Sequence, residues 1–411
     1  MQQNFLLNEG YQNGKTFFDK GDGQYIFSRK KKFLDLSCCA GTLLLGHNSK
    51  IFKTSISRIS KNKVSNFAAL NYHASNYSRT LKKILPNFSK FIMCNSGTEA
   101  VGKGLRICRA ITKKRLIISV EGSWHGSADE TLYVKNGKYK KKLSDGLYSQ
   151  GDEILFIPYN NIELSKKILN KNKKKIMCIL IEPIQACLPL ETAKKYLRFL
   201  YNYSKKNNLI LFFDEMITGL RSDGKSVQQL FNIRPDISTF GKCFGGGAPL
   251  GFVALENRLE KKLKKNNLKI FFGGTFSANS LSMYIANNTL QYINKNQRKI
   301  FKKINKLASH FEEKLNVFFK KNKLDLQVIK FQSMARIIFS SKIVENRYQR
   351  DFLEVNKNIK IEEFKSKLLN NRIYYPGNGT IFFNFAMNLK DINYLIKVIQ
   401  TCSKDVFDEK K

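Results

Sequence analysis

From about Ser89 onward, short apolar runs alternate with polar stretches that carry glycine, and this rhythm predicts the architecture. FIMC (91–94), RLIISVEG (115–122), KIMCILIEP (175–183), NLILFFDE (208–215), ISTFGK (237–242) and LGFVALE (250–256) all have strand length. Several are apolar throughout rather than at alternate positions, the pattern of strands covered on both faces. Helical patterning separates them, clearest in AVGKGLRICRAIT (100–112) and ETAKKYLRFLYNYSKKN (191–207). Strands that alternate with helices imply an α/β domain built on a mostly parallel sheet.

The rhythm changes after Gly274. Ser277–Gln297 and Lys299–Lys321 read as long helices, followed by strands at LQVIKFQ (326–332) and ARIIFSS (335–341). A helix is expected near Ile361–Leu369, a strand pair around YYPGNGTIFF (374–383) and a last helix near Lys390–Thr401. The first 50 residues are irregular, with short apolar pieces at QYIF, KFLDLS and TLLLG. The expected division is an N-terminal segment (1–50) packing with a small C-terminal α+β domain (297–411), and a large α/β domain between them (51–296).

Composition narrows the class. With 42% hydrophobic and 12% aromatic residues, the chain of 411 has ample material for a core, which excludes intrinsic disorder. No apolar run approaches the ~18 residues of a membrane span, and the N-terminus lacks a signal-peptide pattern. Eight cysteines occur without a C-x-x-C pair, a poor framework for disulfides or zinc. A cytoplasmic location with no membrane partner is expected. Lys and Arg total 72 against 32 acidic residues, a formal charge of +40. Such charge suits nucleic acid, acidic lipid or phosphorylated substrates. The basic clusters, however, are short and scattered from Arg29–Lys32 to Lys320–Lys323, the distribution of a solvated surface. No nucleic-acid partner is expected.

Four local features carry chemistry. NSGTEA (95–100) lies between a strand and a helix, where Ser96, Gly97 and Thr98 would offer N–H groups and hydroxyls to a phosphate. The same residues also suit an ordinary helix cap. EGSWHGSAD (121–129) puts Trp124 and His125 just beyond a buried strand, where an indole can stack on a flat ring or simply fill a core. Asp214 closes the apolar run LILFF, at the strand end that borders a ligand crevice. A buried carboxylate there needs a partner, and a protonated ring nitrogen is suitable. Lys242 follows ISTFG and precedes CFGGGAPLG, where burial would lower its pKa and free its amine. A phosphate cradle, an aromatic platform, a strand-end Asp and a strand-end Lys together meet the needs of pyridoxal phosphate.

With these motifs the chain resembles the class III pyridoxal-phosphate aminotransferases, nearest the branch of the glutamate-1-semialdehyde 2,1-aminomutases. NSGTEA, SWHGSAD, EPI, DEMITGLR, PDISTFGKCFGGGAPLG and GTFSANSLSM carry the likeness densely from about 90 to 285. The resemblance implies the aspartate-aminotransferase-like fold type I, pyridoxal 5′-phosphate as cofactor and no metal. It implies Lys242 as the Schiff-base lysine, Asp214 on the pyridine nitrogen and Trp124 where a stacking tyrosine usually stands. Ser96, Gly97 and Thr98 would hold the phosphate, with His125 and Glu182 beside the cofactor and Met216 behind its ring. Gly274 and Thr275 would reach the phosphate of the other subunit, so the active unit would be a homodimer.

The substrates are less determined. The aminomutases carry an N-terminal arginine for the substrate carboxylate, whereas the first arginine here is Arg29. Other class III enzymes use an arginine just ahead of a proline, but here Tyr375 precedes Pro376, leaving Arg372 and Arg336 as nearby candidates. QACLPL (185–190) departs from the family's Gly-rich turn, while Ile217 favours the aminomutase-like branch. The expected activity is amino transfer from an amino acid or amine to an aldehyde or ketone. The alternatives are the intramolecular aminomutase reaction and a non-enzymatic basic binding protein on the same fold.

Overall fold

In the computed structural model, which describes residues 16–136, 139–147, 151–191 and 193–408, the six apolar runs and one strand the apolar pattern does not single out, Ile154–Ile157, assemble into one seven-stranded sheet. Its strands are β1 (Phe88–Cys94), β2 (Leu116–Val120), β3 (Ile154–Ile157), β4 (Ile176–Ile181), β5 (Ile210–Asp214), β6 (Ile237–Gly241) and β7 (Gly251–Glu256). The spatial order is β1-β7-β6-β5-β4-β2-β3. Only β7 runs against its neighbours; the pairs β6–β5, β5–β4, β4–β2 and β2–β3 are parallel.

Every residue of β4, β5 and β6 is buried, which is why β4 is apolar throughout and β5 up to its last residue, while the polar Ser238 and Thr239 of β6 are buried as well. The period of two is still visible in packing. Ile179, Ile181, Leu211 and Phe213 enter one core, whereas Cys178, Leu180, Ile210 and Phe212 enter the core on the opposite face. The helix Gly97–Thr112 lies on the second face and comes close through Gly104, where a Cβ would stand 2.5 Å from Phe212. The helix Ala193–Lys206 belongs to the first face, burying Tyr196, Leu197 and Leu200.

The C-terminal part supplies a smaller antiparallel sheet of Gln327–Phe331, Met334–Ile338 and Thr380–Phe382. The helices Gln297–Lys321, Asn358–Asn370 and Leu389–Phe407 accompany it, all three longer than the apolar pattern indicates. Lys299–Lys321 gains two residues at its start, and the last helix runs six residues past Thr401. The strand pair expected around YYPGNGTIFF is not a pair. Thr380–Phe382 joins the C-terminal sheet, while Ile373–Tyr374 runs parallel to Lys31–Asp35 in a sheet with two other N-terminal strands. Pro376 has no N–H for a ladder, and Gly379 takes φ +77°, so the chain crosses between sheets instead of turning back.

Candidate active site

Parallel strands that share one direction end along one edge, and there β2, β4, β5 and β6 release Gly122–His125, Glu182, Asp214 and Lys242. Asp214 is 4% exposed and its carboxylate is held from three sides. Oδ1 accepts from the Met216 N–H at 3.2 Å and the Thr239 hydroxyl at 3.0 Å. Oδ2 lies 2.9 Å from Nδ1 of His125, itself 4% exposed. A carboxylate has about four acceptor positions, so one remains for a further donor. Nε2 of His125 has no hydrogen-bond partner among the described residues.

Lys242 opens the short turn after β6 with φ +46°, a left-handed conformation that costs a non-glycine residue about 1–3 kcal/mol. Burial lowers the pKa of its amine, against the opposing pull of Asp214 and then Glu182. Among the described residues no hydrogen bond ties that amine down. Glu182 is pushed up to about 7, first by burial, with His125 opposing and Asp214 adding to the rise. Its Oε2 accepts from the Trp124 N–H at 2.8 Å, which fixes the corner carrying the indole. The Trp124 ring itself is 53% exposed.

Ser96 caps the helix Gly97–Thr112, its hydroxyl accepting from the Glu99 N–H at 3.1 Å. Thr98 Oγ1 accepts from the Ser127 N–H at 3.1 Å, which ties the first helical turn to the Trp124 corner. Gly126 makes that approach possible: it has φ +86°, and a Cβ there would stand 2.6 Å from Thr98 Oγ1. Met216 fills the space behind, since a Cβ on Gly97 or Gly241 would stand 3.1 or 2.7 Å from its sulfur.

Lys242, Asp214, His125, Glu182, Trp124, Met216 and the Ser96–Thr98 turn therefore gather around one strand edge. Gly274 and Thr275 lie on an exposed segment instead. That segment is tied back by Lys103 Nζ, 3.3 Å from Ser277 Oγ, and by Asn279, which donates to Asn95 Oδ1 at 3.2 Å. Arg29 is exposed at a hairpin turn, and Arg372 lies over the Phe33 ring, 5.4 Å from its centroid. Arg336 is buried near the 182–187 turn. Its strand partner Thr380 donates to Ala186 O at 2.9 Å.

Sequence reasoning missed Thr239 and the bond from His125 to Asp214, which link positions 25 and 89 residues apart. It also missed Gln185, which donates to Glu121 O at 2.6 Å and to Ser123 Oγ at 3.3 Å. Arg347 and Arg350 were missed as well; they approach Gly122 O (3.4 Å) and Cys187 O (2.6 Å). No local motif signals contacts made across the fold. All eight cysteines are free, and no metal-binding cluster occurs among the described residues.

Known proteins resemble this chain in sequence and in fold. The profile of the family "Aminotransferase class-III" matches residues 6–346. The glutamate-1-semialdehyde 2,1-aminomutase of Fusobacterium nucleatum subsp. nucleatum is 30% identical over 95% of this chain and 90% of its own length. That of Wigglesworthia glossinidia brevipalpis is 32% identical, over 78% of this chain and 75% of its own length. Among solved structures, an omega-transaminase from Sphaerobacter thermophilus superposes with a TM-score of 0.87 at 20% identity, covering 95% of this chain and 91% of that one.

Proposed function

The chain belongs to the class III aminotransferases, and from that premise we propose that it moves an amino group from an amino-acid or amine donor to an aldehyde or ketone, using pyridoxal 5′-phosphate. When bound, that cofactor supplies an aldehyde that takes up amines and a conjugated ring that accepts an electron pair. The described residues fit it. His125 leaves a buried ring nitrogen unpartnered, Asp214 keeps a free acceptor position, and Gly126, where a Cβ would stand 2.6 Å from Thr98 Oγ1, has no room for a side chain.

In this reading Asp214 holds a proton on the ring nitrogen, and His125 and Thr239 keep its carboxylate oriented. Lys242 moves a proton at its Nζ, which burial biases toward the neutral amine. The Ser96–Thr98 turn binds the phosphate at a helix N-terminus, and Trp124 covers one face of the ring. The observation that carries the proposal is the pairing of Lys242 and Asp214 on the ends of adjacent strands β6 and β5.

A second copy completes the site in this proposal, with its Gly274 and Thr275 reaching the phosphate. Phe271 and Phe276 on that segment are 79% and 57% exposed, and a groove of about 510 Å³ opens beside Phe276, Asn95 and Pro249. Apolar exposure of this extent suits an interface.

The aminomutase reaction is the second reading, and the names of the two sequence relatives favour it. Single additions of L-glutamate, L-alanine and a diamine to the loaded enzyme, with no acceptor, separate the two. Transamination predicts that one amine bleaches the visible band and releases a matching carbonyl product. A band that none bleaches, together with isomerisation of glutamate 1-semialdehyde without a second amine, would favour the aminomutase.

A further inference from the structure

Lys103 occupies an unusual place for a lysine. It lies on the helix Gly97–Thr112 and is 7% exposed, on a turn whose Val101 and Leu105 belong to a hydrophobic core. Burying an ammonium costs free energy unless its three donors find acceptors. Three are at hand: Nζ stands 3.3 Å from Ser277 Oγ, 3.4 Å from Met93 O near the end of β1 and 3.8 Å from Glu99 Oε2.

Ser277 closes a turn. Its N–H donates to Gly274 O at 2.9 Å, so Gly274, Thr275, Phe276 and Ser277 form one β-turn with Thr275 in its second position. Gly274 leaves the hydroxyl room, because a Cβ there would stand 2.9 Å from Ser277 Oγ. The turn belongs to residues 266–279, which join the helices Asn257–Lys265 and Ser280–Lys295 without forming a helix or strand of their own. Side chains from the body hold this stretch elsewhere too. Arg106 donates to Phe271 O at 2.7 Å, and Asn71 donates to Ala278 O at 3.0 Å. Among these donors Lys103 is the buried one, and it grips the turn itself.

The same helix serves the phosphate cradle. Gly97 and Lys103 lie about 9 Å apart along its axis. One rigid element therefore begins in the Ser96–Thr98 turn of its own subunit and, further along, holds the segment that a shared site would present to the partner. A turn free to sample many arrangements would have to be ordered when phosphate binds, which lowers affinity.

We propose that Lys103 is a positioning residue for the cofactor across the subunit interface: by holding Ser277 it fixes the Gly274–Ser277 turn, so that Thr275 meets the phosphate bound by the partner subunit. The inference rests on the shared-site reading given above.

The test is a heterodimer in which one subunit carries Lys242→Ala, so that the visible band reports only the site built on the other subunit's lysine. Pyridoxal 5′-phosphate is titrated into it after bound cofactor has been removed. Lys103→Met on the Lys242→Ala subunit should weaken binding at the reporting site at least tenfold, whereas the same change on the reporting subunit should leave it unaltered. Pyridoxal, which lacks the phosphate, should bind all of these proteins equally. Ser277→Ala should reproduce the loss and add little to it in the double variant, and it carries the test alone if Lys103→Met does not fold. Unchanged affinity with the substitution on the Lys242→Ala subunit, a loss seen only on the reporting subunit, or an equal loss for pyridoxal would overturn the proposal. Thr275→Ala on the Lys242→Ala subunit separates that result from a failure of the shared site. Loss with Thr275→Ala but none with Lys103→Met overturns the role of Lys103 alone. No loss with Thr275→Ala contradicts the shared site, and the inference with it.

Discussion

Asp214 illustrates how much one buried carboxylate can organise. Three donors from three parts of the chain converge on it, and each is left unpaired if it is removed. Asp214→Ala should therefore lower activity by at least ~10²-fold and also lower the melting temperature, since each orphaned buried donor costs about 1–3 kcal/mol. Normal turnover in that variant would mean that another carboxylate does the work. Glu182 makes a prediction about pH. Its folded pKa of about 7 exceeds the ordinary 4.5, so between these values the folded protein keeps a proton that the unfolded chain releases. Stability is present in full below the lower value and falls as pH rises to the upper one, by about 3 kcal/mol from this group. Glu182→Gln keeps an oxygen for the Trp124 N–H and should flatten that decline. Parallel melts of the two apoproteins from acid to neutral pH measure the difference, and an unchanged slope would reject it. Lys242 and Asp214 are legible in the sequence because a charged residue ending an apolar run is conspicuous. His125 and Thr239 are not legible as partners of Asp214, because their contact exists only once β2, β5 and β6 are assembled in the sheet.

At the scale of elements, the join between the helix Gly97–Thr112 and the Trp124 corner is the most sensitive feature. Gly126 combines φ +86° with direct contact to Thr98, so Gly126→Ala must shift one of them. The expected result is a clear loss of cofactor affinity, read by equilibrium dialysis, with little change in far-UV circular dichroism. Unaltered affinity would show that the turn does not bind phosphate. Six of the seven sheet strands were legible, the central ones because burial on both faces leaves them mostly apolar, whereas the four-residue strand Ile154–Ile157 was too short to stand out. The helix Arg347–Glu354 was not, since RYQRDFLE offers only a brief apolar signal and buries Arg350 and Glu354 instead. The crossing at Pro376–Gly379 was equally hidden, because two short strands close in sequence look like a hairpin until their partners are known.

For the whole molecule, the +40 charge and the exposed aromatic segment pull in different directions. Like charges oppose association, whereas burying Phe271 and Phe276 favours it at roughly 25 cal/mol per Å² of apolar surface. The second copy should prevail, giving a particle of about twice 47.4 kDa by light scattering, with dissociation promoted at low ionic strength. A monomer that retains full activity would contradict the shared site. Among the described residues no helix is long and apolar enough to cross a membrane. The central claim concerns Lys242, and the most direct measurement is the absorbance spectrum of wild type and Lys242→Ala, each mixed with pyridoxal phosphate and then gel-filtered. The account predicts a visible band retained by wild type and absent from the variant, with both proteins equally folded by circular dichroism. The same band in both, or wild-type turnover in Lys242→Ala, would contradict it.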